Sequence, residues 1–466
     1  MPRHTRSTPI QISPQQRTRG ADVLMYRLFS RGISRLSSRG RALASGGGAA
    51  AAVWEAVNAL AAKSGNINMG QGFPDFPGSA VAREVASAAI RQGSAGLNQY
   101  SPQPGLLELR HAVSEFVERR YKSSYDPASE VIITTGGQEA LAACFFTFLE
   151  PGDEVVFFEP CYPFMLGAVL QAGAVPRVVR LRPPGFGIDQ AALRAACASP
   201  KAKLLVLNTP HNPTGHVATP SELRLIAEMC QTHDLLAVSD EVYEHCIFPP
   251  ANRTAGTSSA SAAASVPAAS AAASVPGALS SPWAPQHLQL ANEPGMRERT
   301  ITLGSGGKLF ALTGWRTAWA YGPAELVQPL SRSHTHMTFS APTPLQAGIA
   351  AALRAEDGLA DIPTLFGGNY QMLAEALRAG TGVSSICDAQ GGYFLVASTD
   401  GSSDVDFCKR LAEEKKVVCT PMSVFYAPSD EATAQEEGES AGQLVRFTVC
   451  KSRQYMEAAC EALMRK

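Results

Sequence analysis

No two of the ten cysteines in this 466-residue chain have Cys-x-x-Cys spacing, and no histidine cluster lies near them. That argues against a structural zinc site, so no metal is expected. It also argues against a disulfide framework and fits a reducing compartment. Long apolar runs are missing too: 45% of residues are hydrophobic, but no stretch is long and apolar enough to span a membrane. Charged residues are few, at 17%, and nearly balanced, with a formal net charge of −1. The first 45 residues contain no lysine and no glutamate. They hold nine arginines and one acid, Asp22, a local +8 that leaves the remainder at −9. A mildly acidic body gives no reason to expect a nucleic-acid partner.

Residues 1–45, rich in Arg and Ser and almost free of acid, have the composition of a targeting presequence. From Met25 the run Met-Tyr-Arg-Leu-Phe-Ser-Arg-Gly-Ile-Ser-Arg-Leu alternates basic and apolar residues at helical spacing, as mitochondrial presequences do. The serine content keeps a chloroplast address open, and a basic tail without a targeting role is the plain alternative. A Gly/Ala linker is expected near Gly46 to Ala52.

Beyond it, apolar runs alternate with helical patterns. Val131 to Thr134, Glu154 to Phe158, Lys203 to Leu207, Leu235 to Val238 and Thr300 to Gly304 read as buried strands. Leu106 to Tyr121, Gln138 to Leu149 and Ser221 to His233 read as helices. This alternation predicts an α/β fold with a mostly parallel, doubly wound sheet and helices on both faces. Residues 250–286 are mostly Ala, Ser and Pro, and Ser-Ala-Ala-Ala-Ser-Val-Pro occurs in them twice. Too few apolar side chains are present to offset ordering entropy, so a disordered surface insertion is expected. The acidic stretch Ser429 to Glu439 reads as a solvated loop.

The chemistry is concentrated after strand ends. Lys308 closes Leu303-Gly304-Ser305-Gly306-Gly307-Lys308. Upstream lie Asn208-Thr209-Pro210-His211-Asn212-Pro213-Thr214-Gly215 and Ser239-Asp240-Glu241-Val242-Tyr243, and downstream lies Trp315-Arg316. In doubly wound sheets ligands bind outside the carboxyl ends of the strands. Each motif has a bland reading: a turn for Asn212, a helix cap for Asp240, a surface lysine for Lys308. Together, in this order, they are what pyridoxal 5'-phosphate needs. Lys308 forms the Schiff base and later moves the substrate proton. Asp240 holds the pyridine nitrogen protonated, and Asn212 and Tyr243 donate to the phenolic oxygen. Gly136, Gly137 and Gln138 open a helix whose N-terminus suits the phosphate, with Ser305 and Arg316 adding a hydroxyl and a fixed charge. Tyr162 can stack on the ring, although a core tyrosine is an equal reading. Arg446, inside the apolar strand Leu444-Val445-Arg446-Phe447, asks for a carboxylate: either a substrate's or an internal Asp/Glu.

These blocks, with Asn68-Met69-Gly70-Gln71-Gly72-Phe73-Pro74-Asp75-Phe76-Pro77, Asn98-Gln99-Tyr100 and Pro421-Met422-Ser423-Val424-Phe425-Tyr426, resemble class I aminotransferases of pyridoxal-phosphate fold type I. The resemblance is greatest to the kynurenine aminotransferase, glutamine transaminase K and methionine aminotransferase group, and runs from about residue 50 to the C-terminus apart from the insertion. It implies an N-terminal arm at 46–78 joining a small domain, a large cofactor-binding domain at 79–338, a small α+β domain at 339–466, and a homodimer with shared active sites. It further implies that Tyr100 reaches the partner's cofactor phosphate and that Gly72 and Asn212 join Arg446 at the substrate carboxylate. Trp54 and Phe339 would line the side-chain pocket, Phe339 from the partner subunit. Ser340 stands where kynurenine-active animal members carry histidine, Gly137-Gln138 replaces bulkier residues, and Gly367-Gly368-Asn369-Tyr370 replaces a charged helix start.

The expected activity is transfer of the α-amino group of a large uncharged amino acid to a 2-oxo acid by a ping-pong cycle. Methionine, glutamine, aromatic amino acids and kynurenine are the expected donors. Cysteine-conjugate β-elimination on the same site is an alternative. A catalytically silent cofactor-binding regulator is another, but no DNA-binding module is visible to support it.

Overall fold

The computed structural model describes residues 36–37, 40–41, 48–91, 96–249, 287–427 and 441–465. The expected presequence (all but four of its residues), the insertion at 250–286 and the acidic stretch Ser429 to Glu439 lie outside the described residues.

Twelve strands are described: β1 (Ile67–Asn68), β2 (Val131–Thr134), β3 (Glu154–Glu159), β4 (Val175–Arg180), β5 (Ala202–Asn208), β6 (Leu236–Asp240), β7 (Thr300–Ser305), β8 (Ala318–Tyr321), β9 (Phe394–Ser398), β10 (Val417–Val418), β11 (Thr420–Pro421) and β12 (Leu444–Thr448). Seven form one sheet in the order β2-β8-β7-β6-β5-β3-β4. Strands β3 to β7 pair in parallel, and β8 runs antiparallel to both neighbours. The expected parallel sheet is therefore present, with one reversed strand that the apolar runs did not single out. The strands are apolar on both faces because helices cover both. Val155, Phe157, Leu204 and Val206 point to one core with helices Gly137–Phe148 and Pro163–Ala172. Val156, Phe158, Leu205 and Leu207 point to the other, with helices Gln190–Cys197 and Pro220–Thr232. The last of these starts where its sequence says it should: Thr219 and Glu222 form a capping box, and Pro220 fills the first turn.

A smaller antiparallel sheet, β11-β12-β9, packs with helices Ile362–Gly380, Asp404–Glu414 and Arg453–Met464 around a core that includes Phe366, Tyr393, Phe407 and Phe447. Segment 67–68 adds a parallel pair with β10.

Two local expectations change. The Gly/Ala run forms, from Gly48, the start of helix Gly48–Ala61, in keeping with the high helix propensity of alanine. Gly367–Tyr370 lies in the interior of helix Ile362–Gly380 rather than at its start, because Ile362-Pro363 after the N-cap Asp361 marks the true first turn.

Candidate active site

Strand β3 leads to β4 on one side, whereas β5, β6 and β7 build on the other, which opens a crevice outside their carboxyl ends. A cavity of about 290 Å³ sits there. Asn208, Asp240 and Ser305 are the last residues of β5, β6 and β7, so they end the strands rather than follow them.

At one end is an anion seat. Helix Gly137–Phe148 begins after Gly136, which has φ 88° and supplies no side-chain cap, and its start (Gly136, Gly137 and Gln138) lines the cavity. A Cβ on Gly136 would lie 2.4 Å from a terminal nitrogen of Arg316; glycine here is required by both the backbone angle and the guanidinium packed upon it. Arg316 itself takes φ 51°. Ser305 lines the same end, and its Oγ accepts the Lys308 N–H at 3.4 Å.

The Asp240 carboxyl, deep in the sheet, accepts a long bond from the Val242 N–H (3.4 Å). Burial raises its pKa to about 7, against the smaller opposing effect of that N–H. The Asp240 carbonyl is braced by Asn208 Nδ2 (2.9 Å) and the Thr209 N–H (3.0 Å). Asn208 Oδ1 in turn accepts the Asn212 N–H (2.8 Å), which sets Asn212 at the cavity wall. Tyr243 is buried, and that burial drives its phenol pKa well upward, so the hydroxyl stays a donor.

Lys308 Nζ donates to Gly72 O (3.3 Å) and lies 4.9 and 5.3 Å from the rings of Tyr393 and Tyr243. Burial lowers its pKa, with Cys450 and Cys246 opposing. Tyr162, at the N-terminus of helix Pro163–Ala172, lines the cavity and reaches Gln138 Oε1 at 3.3 Å.

Arg446 is 3% exposed, yet its acceptors are an amide and a carbonyl: Asn212 Oδ1 and Gly70 O, both at 2.9 Å. Its Nε has no partner. Rings of Phe394 and Phe425 stand 3.8 and 4.4 Å from the guanidinium, and Trp54 5.9 Å. Burial pulls its pKa down to about 9. The internal carboxylate that would have explained this arginine is absent from its bonds among the described residues.

The cavity thus brings together Gly72, Gly136, Gly137, Gln138, Tyr162, Asn212, Asp240, Tyr243, Ser305, Lys308, Arg316, Arg446 and Trp54. Tyr100 and Phe339 are elsewhere: they are 81% and 43% exposed and touch each other edge to face at 5.1 Å. Sequence reasoning assigned no role to Asn208, Phe394 or Phe425. Asn208 stood inside the quoted Asn-Thr-Pro block, whereas nothing local marks Phe394, whose ring would be 2.4 Å from a Cβ at position 72. The residues fit pyridoxal phosphate by their chemistry: an anion seat, a buried carboxyl that makes no salt bridge, and a buried amine within the same cavity.

The class I and II aminotransferase family model matches residues 64–463, and the chain belongs to that family. It is an aminotransferase of fold type I and depends on pyridoxal phosphate. It is 36% identical to a probable N-succinyldiaminopimelate aminotransferase of Mycobacterium tuberculosis, over 89% of this chain and 96% of that one. It is 31% identical to mouse kynurenine–oxoglutarate transaminase 3, over 88% of this chain and 86% of the relative. A solved Escherichia coli protein with a methionine aminotransferase function superposes with a TM-score of 0.74 at 29% identity, covering 88% of this chain and 96% of the other.

Proposed function

We propose that this aminotransferase takes the α-amino group of a large uncharged amino acid and passes it to a 2-oxo acid in a ping-pong cycle. The observation that carries the reading is the cavity lining. Trp54, Tyr162, Phe164, Phe394 and Phe425 make it aromatic, and its cations are Lys308, Arg316 and Arg446. With Lys308 and Arg316 committed to the cofactor, one arginine remains for one carboxylate, and a second, distal carboxylate would be buried unpaired at high cost.

Pyridoxal phosphate, when bound, supplies the electron sink for the charge left as Cα loses its proton. Asp240 would hold the proton on the pyridine nitrogen by pairing with it. The Arg446 guanidinium, with Asn212 and Gly72, seats the substrate carboxylate and so fixes which Cα bond faces Lys308. The amine of Lys308, made less basic by burial, takes that proton and returns it. Gly72 O accepts from the free amine in the meantime. Tyr243 and Asn212 would donate to the phenolic oxygen, and Tyr162 would cover the ring.

A second donor class is favoured by the mycobacterial relative at 36% identity, whose name points to an N-acylated amino acid with a distal carboxylate. A cation from a partner subunit would then be needed. The discriminating experiment is kcat/KM for methionine, glutamine, phenylalanine, tyrosine, tryptophan, kynurenine, aspartate and N-succinyldiaminopimelate with one common oxo acid. Ser340 places methionine, glutamine and the aromatics ahead of kynurenine. A tenfold preference for aspartate or the succinylated donor, about 1.4 kcal/mol, overturns the uncharged-donor reading.

The working form is proposed to be a homodimer, supported by the exposed Tyr100–Phe339 pair. Mixing Lys308→Ala with Tyr100→Phe chains should then give hybrid dimers with one intact site, and no recovered activity counts against shared sites. The basic N-terminus is proposed to address the protein to mitochondria and to be removed there. Intact residues 1–45 on protein isolated from its native cells refute that.

A further inference from the structure

The segment that carries Gly72 makes its backbone bonds to neighbouring strands only as far as Met69, and Gln71 to Phe73 are held by local and side-chain bonds. The Met69 N–H donates to Val418 O (2.9 Å), and the Thr448 N–H donates to Met69 O (2.6 Å). Gly70 O takes Arg446 Nη2 and Thr420 Oγ1, each at 2.9 Å. Beyond that point Gln71 and Gly72 enter the cavity lining. Their far end is held by a lysine that the reaction does not use. Lys451 is 1% exposed; its Nζ donates to Phe73 O at 2.7 Å and stands 3.9 Å from the centre of the Phe73 ring. Its ammonium also feels the Asp75 carboxylate and stands 5.3 Å from the Tyr455 ring, so a buried charge is gathered at the end of this loop, where burial alone would be costly.

The base of this lysine is itself fixed. Asn369, 0% exposed and inside helix Ile362–Gly380, donates Nδ2 to Val449 O (3.0 Å) and Lys451 O (2.7 Å). The next residue, Ser452, donates its N–H and its hydroxyl to the two oxygens of Asp75, both at 2.6 Å. One rigid helix thus reaches, through Asn369 and the 449–452 backbone, to both sides of the loop that ends in Phe73 to Asp75.

We infer that Lys451 is a positioning residue for substrate: it fixes the far end of the Gln71–Phe73 loop and thereby the place of Gly72 beside Arg446. The inference rests on the reading of Gly72 and Arg446 as the seat of the substrate carboxylate. Because donor and acceptor in a ping-pong cycle use that seat in turn, both must depend on Lys451 alike. The cofactor, held from Gly136, Asp240 and Arg316, must not.

The test compares full-length holoenzyme carrying Lys451→Met or Lys451→Arg with wild type, and uses Arg446→Lys as the reference for the seat. Lys451→Met should raise KM for the amino acid and for the oxo acid by the same factor, about tenfold, the worth of one charged hydrogen bond. It should leave kcat, the Kd of the apo-protein for pyridoxal phosphate and the Tm close to wild type. Lys451→Arg, which keeps the charge, should recover most of the loss. Unchanged KM values, a change in only one of them, or an equal loss of cofactor affinity each overturn the inference. If Arg446→Lys also leaves both KM values unchanged, the seat itself is wrong; if it raises both while Lys451→Met raises neither, only the role of Lys451 falls. Should Lys451→Met not fold, Asp75→Ala cuts the neighbouring bonds to Ser452: an equal rise in both KM values supports the inference, and unchanged values overturn it.

Discussion

In the cofactor half of the cavity most contributing residues sit within a few positions of the carboxyl end of a strand in the large sheet: Gly136 after β2, Tyr162 after β3, Asn208 and Asn212 at β5, Asp240 at β6, Ser305 and Lys308 at β7; Arg316, just before β8, is the exception. At the Arg446 end they come from pieces scattered over the chain: Trp54 on the first described long helix, Gly72 beyond β1, Phe394 on β9, Phe425 after β11 and Arg446 on β12. The first end is a product of topology, since parallel strands deliver their ends to one edge. The second is a product of packing between the two sheets. The same burial acts on both with opposite sign: it raises Asp240 and lowers Arg446, so each half lacks the counter-charge that its ligand would bring.

The largest effect should come from Lys308→Ala. Turnover should fall by at least the roughly 10²–10⁴-fold worth of a proton-transferring group. The visible absorbance of the bound cofactor should vanish while the far-ultraviolet circular dichroism stays native. Near-normal turnover would remove Lys308 from its role and leave the topological half without its centre.

Asp240→Asn should come next, slowing single-turnover half-transamination by about 10²-fold, because a neutral amide no longer favours the protonated pyridine. The same variant sharpens the comparison through pH. In the apo-protein the Asp240 pKa stands above its unfolded value, so the folded state holds a proton that the unfolded state has lost between about pH 4 and 7. Stability therefore falls as pH rises through that window. Wild-type apo-protein should match Asp240→Asn near pH 4 and be less stable above pH 7 by on the order of 4 kcal/mol. A gap that does not depend on pH contradicts a carboxyl whose pKa is raised by burial.

At the other end, Arg446→Leu should raise KM for donor and acceptor by about 10²-fold or more, as expected for losing a buried charge pair with substrate. Its Tm should be equal to or above wild type, since an unpaired buried charge is replaced by an apolar side chain among aromatic rings. A Tm several degrees lower would mean that Arg446 is part of the packing rather than a seat left open for a ligand. The smallest effect should come from deleting residues 251–286: kcat and the sedimentation coefficient, corrected for mass, should change little, because the cost of closing a loop varies slowly with its length.

The strand-end half of the site was legible in the sequence because its signals are local. Apolar runs mark β5, β6 and β7; a polar residue at the end of each marks the edge; glycines mark where backbone must approach an anion. Asn208 stood in plain view, but its part as a brace for the Asp240 carbonyl is a cross-strand contact and carries no local mark. β8 was missed as a strand, because Ala318-Trp319-Ala320-Tyr321 is short and half alanine, and even a recognised run states no direction. At the packed end, Arg446 announced itself as an arginine in an apolar strand, yet what surrounds it did not.

By itself, then, the chain's sequence determined the order of strands and helices, the carboxyl-end placement of Asp240 and Lys308, and the glycines at 136 and 137, because period, propensity and turn chemistry act over a few residues. Only the tertiary structure decided that Phe394 and Phe425 close around Arg446, that Gly72 must lack a side chain because the Phe394 ring occupies its space, and that a lysine at 451 holds the carbonyl of residue 73. Such contacts join residues from about twenty to several hundred positions apart, and no local preference encodes which distant ring or carbonyl will fill a given gap.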